Sequence, residues 1–398
     1  MNIATIKKIA FGCMILLMPV LVGATFIEKL YGTSFATGNI YHSPFFIALW
    51  AVLAISAIIY IICISKRRTL IMFHLSLATI LLGAFTSFIT SERGEIILPK
   101  EPIPASMFTT PEGKTEKLPF RLELIKTDTC YTKKSGQISD YTVEIVISHK
   151  NRETETAVAS LNKPVRLKGY SLCIKAIQEK HVALSVAHDP WGVGISYMGY
   201  LMTFVSWILL FFDKRSGFNT MFAKKQHRIT YKSIIIIAGI AILTISRIVA
   251  FSRSDAQPIL RTPILALHVS TIIVAYSLIG CAAINSMIAL CTKNDEKRTS
   301  QALFGRILLY PATMLLTTGI FIGAVWANIS WGRYWGWDPK EVWALVTLLA
   351  CSITFHTHSL PLISKPRNFH IFCIVLFITM LFTYFGVNHL LSGLHSYA

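Results

Sequence analysis

Nine long apolar runs, at residues 9–27, 45–65, 69–90, 193–212, 233–251, 264–290, 307–327, 341–359 and 369–388, constrain this chain more than any other feature. Each can cross about 30 Å of hydrocarbon as a helix. No single soluble core could bury so much apolar surface. Of the 398 residues, 53% are hydrophobic and 15% charged, with a mean hydropathy of +0.55. The expected fold is a polytopic α-helical membrane protein of about nine transmembrane helices. Lys7 and Lys8 precede the first run, which is long and lacks a following small-residue cleavage site, so it reads as an anchor.

The formal net charge of +18 would suggest a nucleic-acid partner in a soluble protein. Here it has a topological explanation, and no nucleic acid is expected. Basic clusters at 7–8, 66–68, 214–228, 293–306 and 365–367 all fall on one side if nine spans are threaded from an inside N-terminus. The intervening loops at 28–44, 252–263 and 328–340 and the tail 389–398 carry few basic residues. The expected location is the cytoplasmic (inner) membrane. The N-terminus would be cytoplasmic, and the C-terminus and residues 91–190 periplasmic.

Residues 91–190 differ in kind, with fifteen basic and thirteen acidic residues, the near balance of a soluble surface. Alternation in FRLEL (120–124), YTVEIVI (141–147), YSLCIKA (170–176) and VALSV (182–186) reads as half-buried strands. One small extracytoplasmic β-rich domain is expected. The eight cysteines form no C-x-x-C pair, which excludes a zinc ribbon, a dithiol redox motif and covalent haem attachment to this chain. Cys130 and Cys173, the two in polar sequence, are open to two readings: exchange with a thiol-disulfide reductant, or a structural pair or two buried thiols.

Intramembrane ionisable residues are costly enough to demand a reason. His74 in the third run and His356 near the end of the eighth lie at matched depth toward the cytoplasmic side. His268, at the outer start of the sixth, and His395, in the tail, share the other side. Two histidines on different helices at one height suit the two axial positions of an iron porphyrin. The plainer alternative is a histidine satisfied by a neighbouring helix or by interfacial water. His42, His227, His358, His370 and His389 lie in or beside loops, where solvated roles are expected.

Five of the eight tryptophans, Trp326, Trp331, Trp335, Trp337 and Trp343, fall within eighteen residues. An aromatic belt is distributed over many helix ends. These indoles are concentrated in one loop with Gly332, Gly336 and Pro339, which shape backbone. The loop reads as a binding shelf: indole faces for a large planar apolar ring, and Arg333 or Lys340 for the two carboxylates of a porphyrin. Asp338 followed by Pro339 reads as a helix start.

The segment WGRYWGWDPKEVWAL (331–345) resembles the WWD motif of haem-handling membrane proteins, specifically the CcsA/ResC family of System II cytochrome c biogenesis. GVNHLLSGLHSY (386–397) and LALHVSTIIVAYSLIG (265–280) are similar to that family's tail and histidine-bearing helix. HLSLATILLGAFTS (74–87), NKPVRLKGYSLCI (162–174) and DPWGVGISYMGYLM (189–202) resemble the partner family ResB, so the whole looks like a compact ResB and CcsA fusion. The division implied is 1–90 for ResB-like helices, 91–190 for the β-rich domain, 191–230 for a fourth ResB-like helix and cytoplasmic loop, and 231–398 for a haem-handling domain with its WWD loop at 326–343. The region between the third and fourth helices is shorter than a typical ResB domain.

The resemblance implies haem b as transported ligand, a transmembrane iron-binding pair at His74 and His356, and an external pair at His268 and His395 beside the loop. Trp331, Trp335, Trp337, Asp338 and Arg333 would complete the external site. It implies apocytochrome c as partner, with haem joined to its C-x-x-C-H cysteines, and so a holocytochrome c synthase type of activity. Two rivals use the same residues: a haem exporter or chaperone without ligation activity, and a bis-His electron-transfer membrane subunit.

Overall fold

The computed structural model describes residues 2–65, 67–131, 138–149, 153–213, 237, 239–248, 258–260, 262–356 and 359–391. Three helices lead: α1 (Ile3–Tyr31), α2 (Pro44–Ile64) and α3 (Arg68–Thr90). An eight-stranded sheet follows, and then α4 (Gly192–Phe212), α5 (Pro263–Cys291), α6 (Asp295–Trp331), α7 (Pro339–Ile353) and α8 (Pro366–Leu390). Proline at the first helical position opens α2, α5 and α7, each behind a Ser, Thr or Asp whose side chain accepts a backbone N–H.

Seven of these helices are long and apolar enough to cross a membrane among the described residues. Two of the nine expected runs depart from that length. Run 233–251 is described at 237 and 239–248, where it forms a short apolar helix, Gly239–Ile248. Run 341–359 becomes the 15-residue α7, which a proline and capping box start at the loop and which ends early in a 3-10 turn, Thr354–His356. Together these rise about 28 Å, so the short helix still reaches from the tryptophan loop to His356.

Burial in the helical part is inverted relative to a soluble protein. Leu30, Ile55, Leu201 and Phe212 are exposed, whereas Ser270, Ala275, Ala282 and Ser286 of α5 and Ala302, Ala312 and Thr313 of α6 are buried. Hydrocarbon offers no penalty to large apolar side chains, and small residues let helix backbones approach. The α3–α4 pair carries this furthest. A carbon added at Gly83 would lie 2.5 Å from the Ser196 nitrogen, one at Gly192 2.5 Å from the Ser87 nitrogen, and one at Gly199 2.9 Å from the Ile80 nitrogen. Ser76 and Thr203 close the seam with a 2.9 Å hydroxyl contact.

The strands β1 (Glu92–Pro99), β2 (Ala105–Thr109), β3 (Thr115–Tyr131), β4 (Ile138–Ser148), β5 (Thr154–Ser160), β6 (Val165–Leu167), β7 (Tyr170–Ile177) and β8 (His181–His188) form one antiparallel sheet, ordered β5-β4-β3-β2-β1-β8-β7-β6. The four strands read from alternation are β3, β4, β7 and β8. Inward residues such as Leu98, Leu122, Ile145, Leu172 and Leu184 are fully buried in one core, each contributing about 1.5–3 kcal/mol. β1 and β8 pair from Glu92↔His188 to Pro99↔His181. They are the strands that continue directly from α3 and into α4.

Candidate functional site

The tryptophan loop is shaped at both ends. α6 stops because Gly332 turns left-handed at φ 74°, its N–H capping Asn328 O at 3.2 Å. α7 starts at a capping box, in which Asp338 accepts from Lys340 N at 2.9 Å while Glu341 Oε2 accepts from Gly336 N at 2.8 Å and Asp338 N at 3.3 Å. Between them Trp337 adopts φ 58°, a conformation costing a bulky residue about 1–2 kcal/mol. It is held there by Tyr41, stacked at 4.6 Å and 9°, and by Phe46 edge-on at 5.2 Å.

The five indoles do not form one continuous wall. Trp326 and Trp331 meet edge-to-face at 4.9 Å and pack on Leu265 of α5. Trp335 and Trp337 meet at 5.8 Å on the α1–α2 side. Trp343 donates to Thr25 Oγ1 at 3.1 Å and packs on Phe382 and Val387. The indole N–H groups of Trp326 and Trp335 are buried without an acceptor among the described residues; such groups are costly unless something completes them. Lys340 Nζ donates to Asn388 Oδ1 at 2.9 Å, which ties the loop to the end of α8.

Tyr334, between the tryptophans, is buried and joins the loop to the α3–α4 seam. Its hydroxyl lies 3.0 Å from Ser87 Oγ and accepts from Ser196 Oγ at 3.1 Å. Ser87 also donates to Asp189, which accepts Gly192 N at 2.7 Å. The sheet meets the loop here too: a carbon at Gly332 would lie 3.1 Å from Ala187 Cβ and 3.4 Å from Cys173 Sγ. Ser330 Oγ donates to Asn162 Oδ1 at 2.7 Å. Tyr334, Asp189 and Arg93 were missed in the sequence: Tyr334 stands in the loop without a signal of its own, and Asp189 and Arg93 are ordinary polar residues that only the fold brings near it.

The inner histidines come together. The His74 and His356 rings lie 6.3 Å apart, with Phe11 edge-on to His356 at 5.3 Å and Phe73 edge-on to His74 at 5.6 Å. His74 Nδ1 lies 2.9 Å from Leu70 O. A carbonyl only accepts, so the proton sits on Nδ1 and the lone pair on Nε2, the form a metal ligand requires. His268 Nδ1 meets Gly319 O at 2.7 Å in the same way. Its ring occupies the space left by Gly323, where an added carbon would lie 2.6 Å from Cε1. His395 lies outside the described residues, so the outer pair has one described member.

Two expectations need correction. His370 is not solvated: it is fully buried, with Nδ1 3.0 Å from Ser286 Oγ and Nε2 3.1 Å from Arg298 O, a helix-to-helix tie that its position near a loop concealed. Cys130 and Cys173 are not a structural pair. Both are free, on β3 and β7, and burial pushes the Cys173 thiol up, away from the thiolate that exchange requires.

The Cytochrome C assembly protein family matches residues 195–395, and the ResB-like family matches 64–179. Cytochrome c biogenesis protein CcsA of Cuscuta reflexa is 31% identical over 260 residues, 57% of this chain and 82% of that protein. CcsA of Chlamydomonas reinhardtii is 38% identical over 156 residues, 36% of this chain and 43% of that protein. Protein NrfI of Wolinella succinogenes is 36% identical over 158 residues, 36% of this chain but 17% of NrfI. The chain thus matches under a fifth of NrfI. His74 falls within the ResB-like segment, and His268, His356 and the tryptophan loop within the assembly segment.

Proposed function

This chain belongs to the cytochrome c assembly protein family and carries a ResB-like segment ahead of the assembly segment; from that premise we propose that it carries haem across the cytoplasmic membrane and presents it to apocytochrome c at the outer face. One observation carries the reading: an intramembrane histidine pair, 6.3 Å between rings, built with one member from each family segment. Two imidazole–metal bonds of about 2 Å, plus the half-width of each ring, span about that separation. That separation matches the length two imidazoles need to ligate one iron, and it supports His74 and His356 as the pair that would hold the porphyrin iron.

The outer site would use His268 and His395 as iron ligands, with Trp331, Trp335 and Trp337 around the macrocycle and Arg333 at its carboxylates. The buried indole N–H of Trp335 supports a polar ligand there. α7 separates the two sites by about 28 Å, close to the hydrocarbon thickness, which supports one site at each face. The basic loops support a cytoplasmic inner face and a periplasmic sheet domain. In the transfer, each thiol of the acceptor's C-x-x-C-H adds sulfur to one vinyl carbon of haem and hydrogen to the other, with no net redox change. The acceptor histidine displaces one protein ligand, so the outer coordination must be replaceable.

The test is reconstitution of cytochrome c maturation in a host lacking its own system, with this full chain as the only biogenesis protein added. Holocytochrome is expected from the native chain, and none from His268→Ala or His395→Ala at equal protein levels. Normal maturation in both variants would sink the outer-site assignment. A colourless native protein purified from haem-replete cells would sink the transport reading.

A further inference from the structure

The sheet domain contributes a charge to the loop. Along β1, Ile96 and Leu98 point into the buried core, so by the two-residue period of a strand Arg93 stands on the opposite, outward face. Arg93 is paired across the ladder with Ala187, and Ala187 Cβ lies 3.1 Å from where a side-chain carbon of Gly332 would be. The register thus delivers Arg93 to the residue before Arg333. The two guanidinium charges are close enough to act on each other. Arg333 lies along the loop backbone, with its Cζ 2.9 Å from the place of a Gly336 side-chain carbon.

Neither arginine has an ion pair among the described residues. The acids that act on Arg93 also hold other groups: Asp189 accepts the Ser87 hydroxyl and Gly192 N, and Glu341 Oε2 accepts two loop amides. His42, edge-on to Phe88 at 4.9 Å, faces Arg93 from the other side. Asp189 and Glu341 offset part of the Arg93 charge, and a further anion at the seam would offset the remaining repulsion between the two guanidinium groups; a guanidinium fork is the side chain best matched to a carboxylate.

We propose that Arg93 of the sheet domain and Arg333 of the loop form a two-guanidinium site for the paired carboxylates of the porphyrin presented at the outer face. The proposal rests on the export reading above and adds what that reading lacks: a role for the sheet domain in choosing and orienting the cargo. Holding the carboxylate edge at the seam turns the opposite, vinyl-bearing edge away from the sheet, toward an arriving thiol. Arg93 and Arg333 are therefore positioning residues, not catalysts.

The experiment uses the full chain with His74→Ala, which leaves the outer site, titrated with haemin and with haemin dimethyl ester and followed by visible absorption. The diacid is expected to bind at least about tenfold tighter than the ester, the scale of one charged hydrogen-bonded contact. Arg93→Gln and Arg333→Gln should each remove most of that preference while leaving ester affinity unchanged, and Arg93→Lys should restore part of it. Equal affinity for diacid and ester in the unsubstituted background, with an outer-site spectrum that His268→Ala abolishes, overturns the arginine site and leaves the export reading intact. Equal weakening of both ligands by Arg93→Gln also overturns it, assigning Arg93 a structural role. Absence of any haemin spectrum, in this background and in the native chain, overturns both readings.

Discussion

Tyr334→Phe removes one oxygen and should uncouple the tryptophan loop from the α3–α4 seam. The lost hydroxyl contacts Ser87 Oγ at 3.0 Å and accepts from Ser196 Oγ at 3.1 Å, all three groups being buried. Ser87 keeps its bond to Asp189, so the damage is concentrated at Ser196, whose donor loses this acceptor. A net hydrogen bond is worth about 0.5–1.5 kcal/mol, and an orphaned buried donor costs about 1–3 kcal/mol. The variant is expected to lose about 2 kcal/mol. Ser196→Ala alone should cost less, and the double variant should cost little more than Tyr334→Phe. The expected coupling is about 1 kcal/mol, within the range found for interhelical hydrogen bonds in membranes. Denaturation of the detergent-purified chain, followed by tryptophan emission, reads this, because five of the eight indoles lie within the eighteen residues that include Tyr334. A coupling below about 0.3 kcal/mol, the ordinary scatter of independent sites, would refute the claim that this hydroxyl joins loop and seam.

Gly323→Ala should displace the His268 ring, since the new carbon would lie 2.6 Å from Cε1; the outer haem spectrum should be lost while the His74–His356 spectrum persists. Gly192→Ala forces a carbon to 2.5 Å from the Ser87 backbone and should cost more than the 1–3 kcal/mol, roughly, of ordinary overpacking, seen as a fall in thermal stability. His370→Leu should destabilise by about 1–3 kcal/mol by orphaning Ser286 without altering any haem band. Burial and Arg93 hold the His42 imidazole below its usual value. Its neutral form therefore stabilises the fold above the ordinary histidine range, and that contribution falls as pH drops below about 6.5. His42→Gln should flatten the acid limb of a stability–pH curve.

Long apolar runs and strand alternation were legible because each depends on a local period. Thus α1 to α6, α8 and the strands β3, β4, β7 and β8 are visible one at a time. The start of α7 was legible from Asp338 and Pro339. Its early end was not, because the apolar run continues past Ile353 while the backbone tightens into a 3-10 turn. Matched depth was enough to pair His74 with His356. What sequence could not carry was register: Arg93 reaches the loop only because Ala187 lies across from it, and Tyr334 matters only because two serines on other helices converge on its oxygen. The clustering of tryptophans suggested one shelf, but Tyr41, Leu265 and Thr25, far apart in the chain, draw the indoles in three directions.

A domain tethered by one flexible linker can swivel. The sheet here is planted on two feet. β1 and β8 are hydrogen-bonded neighbours from Glu92↔His188 upward, and each runs without a spacer domain into α3 or α4, themselves locked by interleaved glycines and serines. Support of this kind resists rotation of the sheet against the loop it already touches at Gly332 and Ser330, so whatever binds at the loop meets a fixed wall rather than a hinged one.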